Sequence, residues 1–239
     1  MKLDVLAIGS HPDDVELGCG GTLALLSGQG LKVGILNLTG GEAGTRGTVE
    51  ERRSEAAAAA RVLGVTVLEF MDCGDGRLRC GEEQEDELIE LLRRWRPELV
   101  IGPAPTDRHP DHGRAHRLVR DCSYYSGLAR RGTGEPHRPA AVFSYMQHDP
   151  FEPSFIVDVS PTWETKLEAL AAYDSQLHQP GAPRQEPQTK VASPEFRQAV
   201  EGRARHFGLL VGTAYGEPFW SRLPLSVVDP MSLLPKGLR

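Results

Sequence analysis

Short apolar runs alternate with longer amphipathic stretches along the first hundred residues. Residues 3–9 (LDVLAIG) form a compact apolar run, which predicts a buried strand. Residues 15–29 place apolar side chains at Val15, Leu17, Leu23, Leu25 and Leu26, then Gly28 and Gly30, which predicts a helix and its stop. A second strand is predicted at 31–38 (LKVGILNL). Thr48-x-x-Glu51 has the form of a capping box and opens a helix through 63, where five alanines at 56–60 add propensity. A third strand follows at 65–70. A charged amphipathic helix at 82–96 stops at Pro97, and a fourth strand covers 99–102. Farther on, the pattern predicts a helix from 113 to about 130, strands at 140–145 and 155–159, and helices at 162–173 and 194–207. Residues 178–194, rich in Pro, Gln and Gly, read as a long irregular loop.

Strands alternating with helices predict an α/β fold: a Rossmann-like, doubly wound and mainly parallel sheet of order 3-2-1-4-5, with helices on both faces. A chain of 239 residues suits a single domain. In it, residues 1–130 would form the core and 131–239 would complete the pocket. In this topology strands one and four are neighbours, and ligands bind at their carboxyl ends. The loops leaving those two strands are therefore expected to meet.

Composition narrows the partners. The net charge of -6 argues against nucleic acid and anionic membranes. No apolar stretch approaches the ~20 residues of a membrane helix. The strand that begins almost at Met1 leaves no room for a signal peptide, so a cytoplasmic location is expected. Cys19, Cys73, Cys80 and Cys122 make no Cys-x-x-Cys pair, which fits free thiols.

The two loops carry the chemistry. Residues 11–14 read His-Pro-Asp-Asp and residues 109–112 read His-Pro-Asp-His, each directly after a predicted strand. His11, Asp14 and His112 supply two imidazoles and a carboxylate, a usual set for a hydrolytic zinc centre with one open position. One ion per chain is expected, and such a set also accepts iron(II) or another divalent ion. Asp13 sits beside a ligand and is free to take a proton from water, whose pKa a metal lowers toward ~7. His109 could donate to a developing oxyanion, with Asp111 fixing its tautomer or backing the site as a further carboxylate. Each proline holds its neighbours out of a helix and makes the presentation rigid. His112 and His116 are an i,i+4 pair, but without a His-Glu-x-x-His arrangement His116 reads as a surface or supporting residue. The other histidines, His137, His148, His178 and His206, carry no assigned role. Gly18-Cys19-Gly20-Gly21 lacks the third glycine of a dinucleotide fingerprint and begins inside the helix, so close helix–sheet approach explains it better.

These motifs resemble a known family. The HPDD-x-E-x-G-x-GG run, GEAGTRGT-x-x-x-R-x-x-E and the DRHPDH loop are similar to those of the PIG-L/LmbE-like zinc deacetylases, across most of residues 3–120. DRHPDHG, FIVDVS, YDSQ and GTAYGEPF resemble the bacillithiol-biosynthesis branch, which deacetylates N-acetylglucosaminyl-malate. The resemblance implies zinc on His11, Asp14 and His112, Asp13 as general base and His109 as oxyanion-stabilising or acid group. It also implies a small glycoside as substrate and a homo-oligomer, in this family often a hexamer. Asp75 matches an acidic residue associated with sugar hydroxyls, although Asp-Gly also reads as a plain turn. Arg52 matches the Arg of R-x-x-E. With Arg108 it is a candidate for the two malate carboxylates, while an Arg52–Glu55 pair at i,i+3 is the simpler reading. A broader N-acetyl-sugar deacetylase or a mycothiol- or thiol-conjugate amidase would use the same chemistry. A non-catalytic sugar- or metal-binding module would leave Asp13 dispensable.

Overall fold

The computed structural model describes residues 1–177 and 189–233. Its centre is β1 (Val5–Gly9), buried along its whole length. Alternation sends successive side chains to opposite faces. Leu6 and Ile8 join one core with Leu88, Leu92, Leu118 and Val119. Val5 and Ala7 join another with Leu23, Ala56, Ala59 and Ala169. Full burial of each Leu or Ile stabilises the fold by ~1.5–3 kcal/mol, so a central strand buried on both faces is strongly held.

The sheet has seven strands. Parallel to β1 lie β2 (Val33–Asn37), β3 (Val67–Phe70), β4 (Leu99–Pro103) and, next to β4, β5 (Ala141–Tyr145). β6 (Phe155–Asp158) and β7 (Gly216–Ser221) extend the sheet antiparallel, giving β3-β2-β1-β4-β5-β7-β6. The expected order 3-2-1-4-5 is present intact as the first five strands. β7 was not expected; it carries Pro218, which has no N–H to donate to a ladder.

The helices are α1 (Asp14–Gly28), α2 (Val49–Val62), α3 (Glu82–Trp95), α4 (Pro110–Tyr125), α5 (Trp163–Ala171) and α6 (Pro194–Val211). The expected capping box opens α2: Thr48 accepts from Glu51 N, and the Glu51 side chain accepts from Thr48 N. α4 begins three residues before the expected start and ends at Tyr125, so 126–130 lie outside it. α6 runs past the expected 207 to a left-handed Gly212. The irregular loop expected at 178–194 lies largely outside the described residues. Among the described residues no helix is long and apolar enough to cross a membrane.

One helix is broken. Cys19 has non-helical torsions inside α1, and the Glu217 carboxylate caps the second half by accepting from Gly21 N, Thr22 N and Thr22 Oγ1. The buried Lys166 ammonium neutralises that carboxylate at 2.6 Å and donates to Leu17 O. Close approach explains two of the glycines: a Cβ on Gly18 would lie 2.2 Å from the Tyr145 ring and one on Gly21 2.9 Å from Val159, whereas one on Gly20 would meet only ordinary contacts.

Candidate metal centre

The loop after β1 turns at His11. Asp14 N donates to His11 O at 3.3 Å, and Asp14 Oδ2 accepts from His11 N at 2.9 Å. Asp13 takes φ 98° at the N-cap of α1, and its side chain caps nothing. That torsion is rare outside glycine and costs about 1 kcal/mol or more. Among the described residues no group hydrogen-bonds to the Asp13 carboxylate. Underneath, the buried Arg52 donates to Pro12 O at 2.8 Å and Gly41 O at 3.0 Å. The loop's backbone is thus held by a cation.

The loop after β4 is organised by Asp107. Its carboxylate accepts from His109 N at 3.0 Å, His148 N at 2.9 Å and Asp149 N at 3.3 Å. It also lies 3.0 Å from His112 Nδ1. With Nδ1 engaged, His112 presents Nε2 to the other loop, 3.4 Å from Asp14 Oδ2. His11 Nδ1 stands at the same 3.4 Å from that oxygen. These separations exceed a good hydrogen bond. They equal the ~3.4 Å edge of a tetrahedron with zinc–ligand bonds of about 2.1 Å. On its outer side His11 Nε2 faces Asp75 Oδ1 at 3.1 Å and Asp111 Oδ2 at 3.6 Å. Each imidazole is therefore backed by carboxylates, the usual support for a histidine that holds metal.

Among the described residues, three sets have ligand atoms within 4.8 Å of one another inside each set: His11/His109/His112, Asp107/His112/His148 and His11/Asp75/Asp111. The electrostatics fit a cation at their centre. Burial opposes charge on His112, but Asp14 and Asp107 outweigh it and raise its pKa to about 9. Burial likewise opposes charge on His11, yet Asp111, Asp14 and Asp75 hold it well above the ordinary value. Burial would raise Asp14, but the two imidazoles hold it far below. The carboxylates thus demand positive charge where His11 and His112 converge, which a divalent ion supplies. Asp13 behaves differently. Burial, reinforced by Asp14 and opposed by Arg52, pushes it up to about 7.

Several expected site residues sit differently. Arg52 donates to the Gly41 and Pro12 carbonyls and makes no hydrogen bond to Glu55. Glu55 instead accepts from Ser175 N and Oγ, both at 2.7 Å. Asp75, expected at sugar hydroxyls, turns one oxygen to His11 and accepts from Ala43 N with the other at 3.0 Å. The Asp111 carboxylate does not hold His109. It accepts from Gly76 N at 2.7 Å and Arg114 Nη1 at 3.0 Å. Instead its backbone N–H donates to His109 Nδ1 at 3.3 Å, which leaves the proton of a neutral His109 on Nε2. Burial, with His11 and His112 nearby, lowers the pKa of His109. Arg108 is exposed beside it. His116 contacts Pro103 O and Ser144, away from the two loops.

Sequence reasoning missed Asp107, Gln147 and His148. Gln147 Nε2 donates to Asp14 Oδ1. The His148 ring stacks on His112 with centroids 5.6 Å apart, and burial pushes its pKa down to about 4. Both follow β5, the neighbour of β4, so extending the carboxyl-end rule one strand further would have found them.

Comparison with known proteins agrees with this geometry. The family model PIG-L, described as GlcNAc-PI de-N-acetylase, matches residues 6–123, which include both loops. Diacetylchitobiose deacetylase of Thermococcus kodakarensis is 34% identical over 189 residues, 72% of this chain and 70% of that protein. 4-Oxalmesaconate hydratase of Pseudomonas putida is 29% identical over 191 residues, 72% of this chain and 74% of that one. The crystal structure of the conserved protein TT1542 from Thermus thermophilus superposes with a TM-score of 0.87 at 40% identity, covering 95% of this chain and 98% of that one. The chain belongs to the PIG-L family.

Proposed function

We propose that this protein is a zinc-dependent hydrolase that removes the N-acetyl group from N-acetylglucosaminyl glycosides. One observation carries the reading: Asp14 Oδ2 stands 3.4 Å from both His11 Nδ1 and His112 Nε2, next along the chain to an Asp13 carboxylate to which no group hydrogen-bonds among the described residues. The overlapping donor sets meet at His11 and His112. Asp14 is preferred to His109 as third ligand because its carboxylate offsets charge and its Oδ2 stands between both rings. When bound, the ion supplies Lewis acidity and lowers the pKa of water.

The chain's own groups do the rest. Asp13 takes a proton from the attacking water and returns it to the glucosamine nitrogen as the amide C–N bond breaks, leaving acetate and a free amine. Burial raises Asp13 above the ordinary carboxylate range, the direction that suits a group that must accept a proton at neutral pH. His109 donates from Nε2 to the carbonyl oxygen as negative charge develops there. Arg52 holds the Asp13 loop from beneath, and Asp75 and Asp107 orient the two imidazoles.

The relative that deacetylates diacetylchitobiose supports the sugar half of the substrate. For the aglycone, Arg108 is the exposed cation that could meet a malate carboxylate, since Arg52 is already engaged. N-acetylglucosaminyl-malate, the bacillithiol precursor, is therefore the first substrate to assay, beside its inositol counterpart and diacetylchitobiose. Acetate release from at least one, with one metal per chain, is the expected outcome. Full metal occupancy without acetate from any of them would sink the reading. The hydratase relative favours a second reading, addition of water to an unsaturated acid. Loss of alkene absorbance with such an acid, in place of acetate release, would select it. A homo-oligomer belongs to the proposal too: Leu223, Leu225, Val227 and Val228 expose apolar surface that a second copy could cover, and sedimentation would test it.

A further inference from the structure

Gln147 is 6% exposed and lies just beyond β5, and its amide faces the back of Asp14. Nε2 donates to Asp14 Oδ1, while Asp14 Oδ2 accepts from His11 N and stands 3.4 Å from each imidazole. The two carboxylate oxygens thus have separate jobs. A carboxylate only accepts, so the amide nitrogen must be the atom that faces it. That orientation leaves Gln147 Oε1 buried without a partner. An unpartnered buried acceptor is costly, so some gain must offset it. The backbone here is strapped down as well. Arg203 of α6 donates to Gln147 O and reaches Leu17 O at 3.5 Å, and His148 N donates to Asp107. One short segment therefore ties together the carboxylate of one motif loop and the organising carboxylate of the other.

We infer that Gln147 is a positioning residue that keeps Asp14 a one-oxygen ligand. The inference rests on the metal-centre reading above. A carboxylate can hold a divalent ion through one oxygen or two. Three single-atom protein ligands leave a fourth tetrahedral position open for water or substrate, as catalytic zinc sites require. A second oxygen from Asp14 would fill or crowd that position. By occupying Oδ1, the amide of Gln147 withholds it from the ion.

Cobalt(II) in place of zinc tests this directly, because four-coordinate cobalt absorbs visible light far more strongly than five- or six-coordinate cobalt. Gln147→Met keeps the side-chain length and removes the donor. The variant is expected to bind one cobalt with a normal circular dichroism spectrum, yet absorb at least about twofold less. With zinc its kcat is expected to fall ~10-fold or more while KM stays within ~3-fold. An unchanged cobalt spectrum in the folded variant overturns the inference. If Gln147→Met fails to fold, X-ray absorption on the cobalt-loaded wild type decides. Four ligands with a single Asp14 oxygen support the inference, and five or more ligands overturn it. Wild type that takes up no cobalt defeats the metal-centre reading itself. Wild type that is loaded and active, beside an unaffected Gln147→Met, defeats only the role of Gln147.

Discussion

The two motif loops share their first three residues, yet the structure uses those residues differently. In the first, α1 begins only at the fourth position, so His11, Pro12 and Asp13 lie ahead of the helix. In the second, α4 begins at the second position, and the same Asp falls inside the first turn. Asp13 therefore adopts a left-handed backbone and keeps a free carboxylate, whereas Asp111 is locked by Gly76 N and Arg114. His11 is buried between carboxylates, whereas His109 caps its helix and is half-buried. A shift of two residues in where a helix starts is enough to leave the aspartate of one tetrapeptide free and to lock that of its near-copy. Residue identity alone did not determine the role.

Substitutions at matched positions would break or sharpen that contrast. The largest effect is expected at His11→Ala, which should lose its metal by elemental analysis and all measurable turnover, while His109→Ala keeps its metal. Asp13→Ala should keep metal and fold yet lose ~10²–10⁴ in kcat, the usual worth of a general base. Near-normal rates there would favour a binding module. His109→Ala should lose ~10²–10³ in kcat, as when an oxyanion donor is removed. Asp111→Asn should cost only ~10-fold, seen chiefly as weaker metal affinity, because that carboxylate supports a ligand and moves no proton. A loss equal to that of Asp13→Ala would erase the distinction between the loops.

The smallest effect concerns stability. His112 has its pKa raised to about 9 against the opposing effect of burial, by Asp14 and Asp107. A raised imidazole contributes stability that is complete below its unfolded value near 6.5 and is lost as pH climbs through about 9. His11 is raised as well and acts in the same direction. Chelator-treated protein should therefore show a falling Tm between about pH 7 and about 9, whereas metal-loaded protein should hold its Tm there. Parallel curves would mean that a cation does not replace those protons.

Much of the first half was legible in the chain because local signals agree there. Apolar runs, the Thr48 capping box and the Pro97 stop all mark the elements that the backbone adopts. The meeting of the two loops followed from sheet order alone. The second half was harder to read. Pro218 hid β7, whose value lies in Glu217 reaching a helix 196 positions away, and no local pattern encodes such a partner. His148 carried no assigned role and Gln147 drew no notice for the same reason. Arg52 shows the opposite case: its motif was plain, but the two backbone carbonyls it holds lie in separate loops that no local pattern links.

The Glu217 cap has a consequence for biosynthesis. The ribosome releases Gly21 and Thr22 long before it makes the carboxylate that completes their helix, and early segments begin to fold while later ones are still absent. The helix that presents Asp14 cannot take its finished bent shape until β7 has emerged and paired. A nascent chain stalled before residue 217 should hold the parallel strands but bind metal poorly.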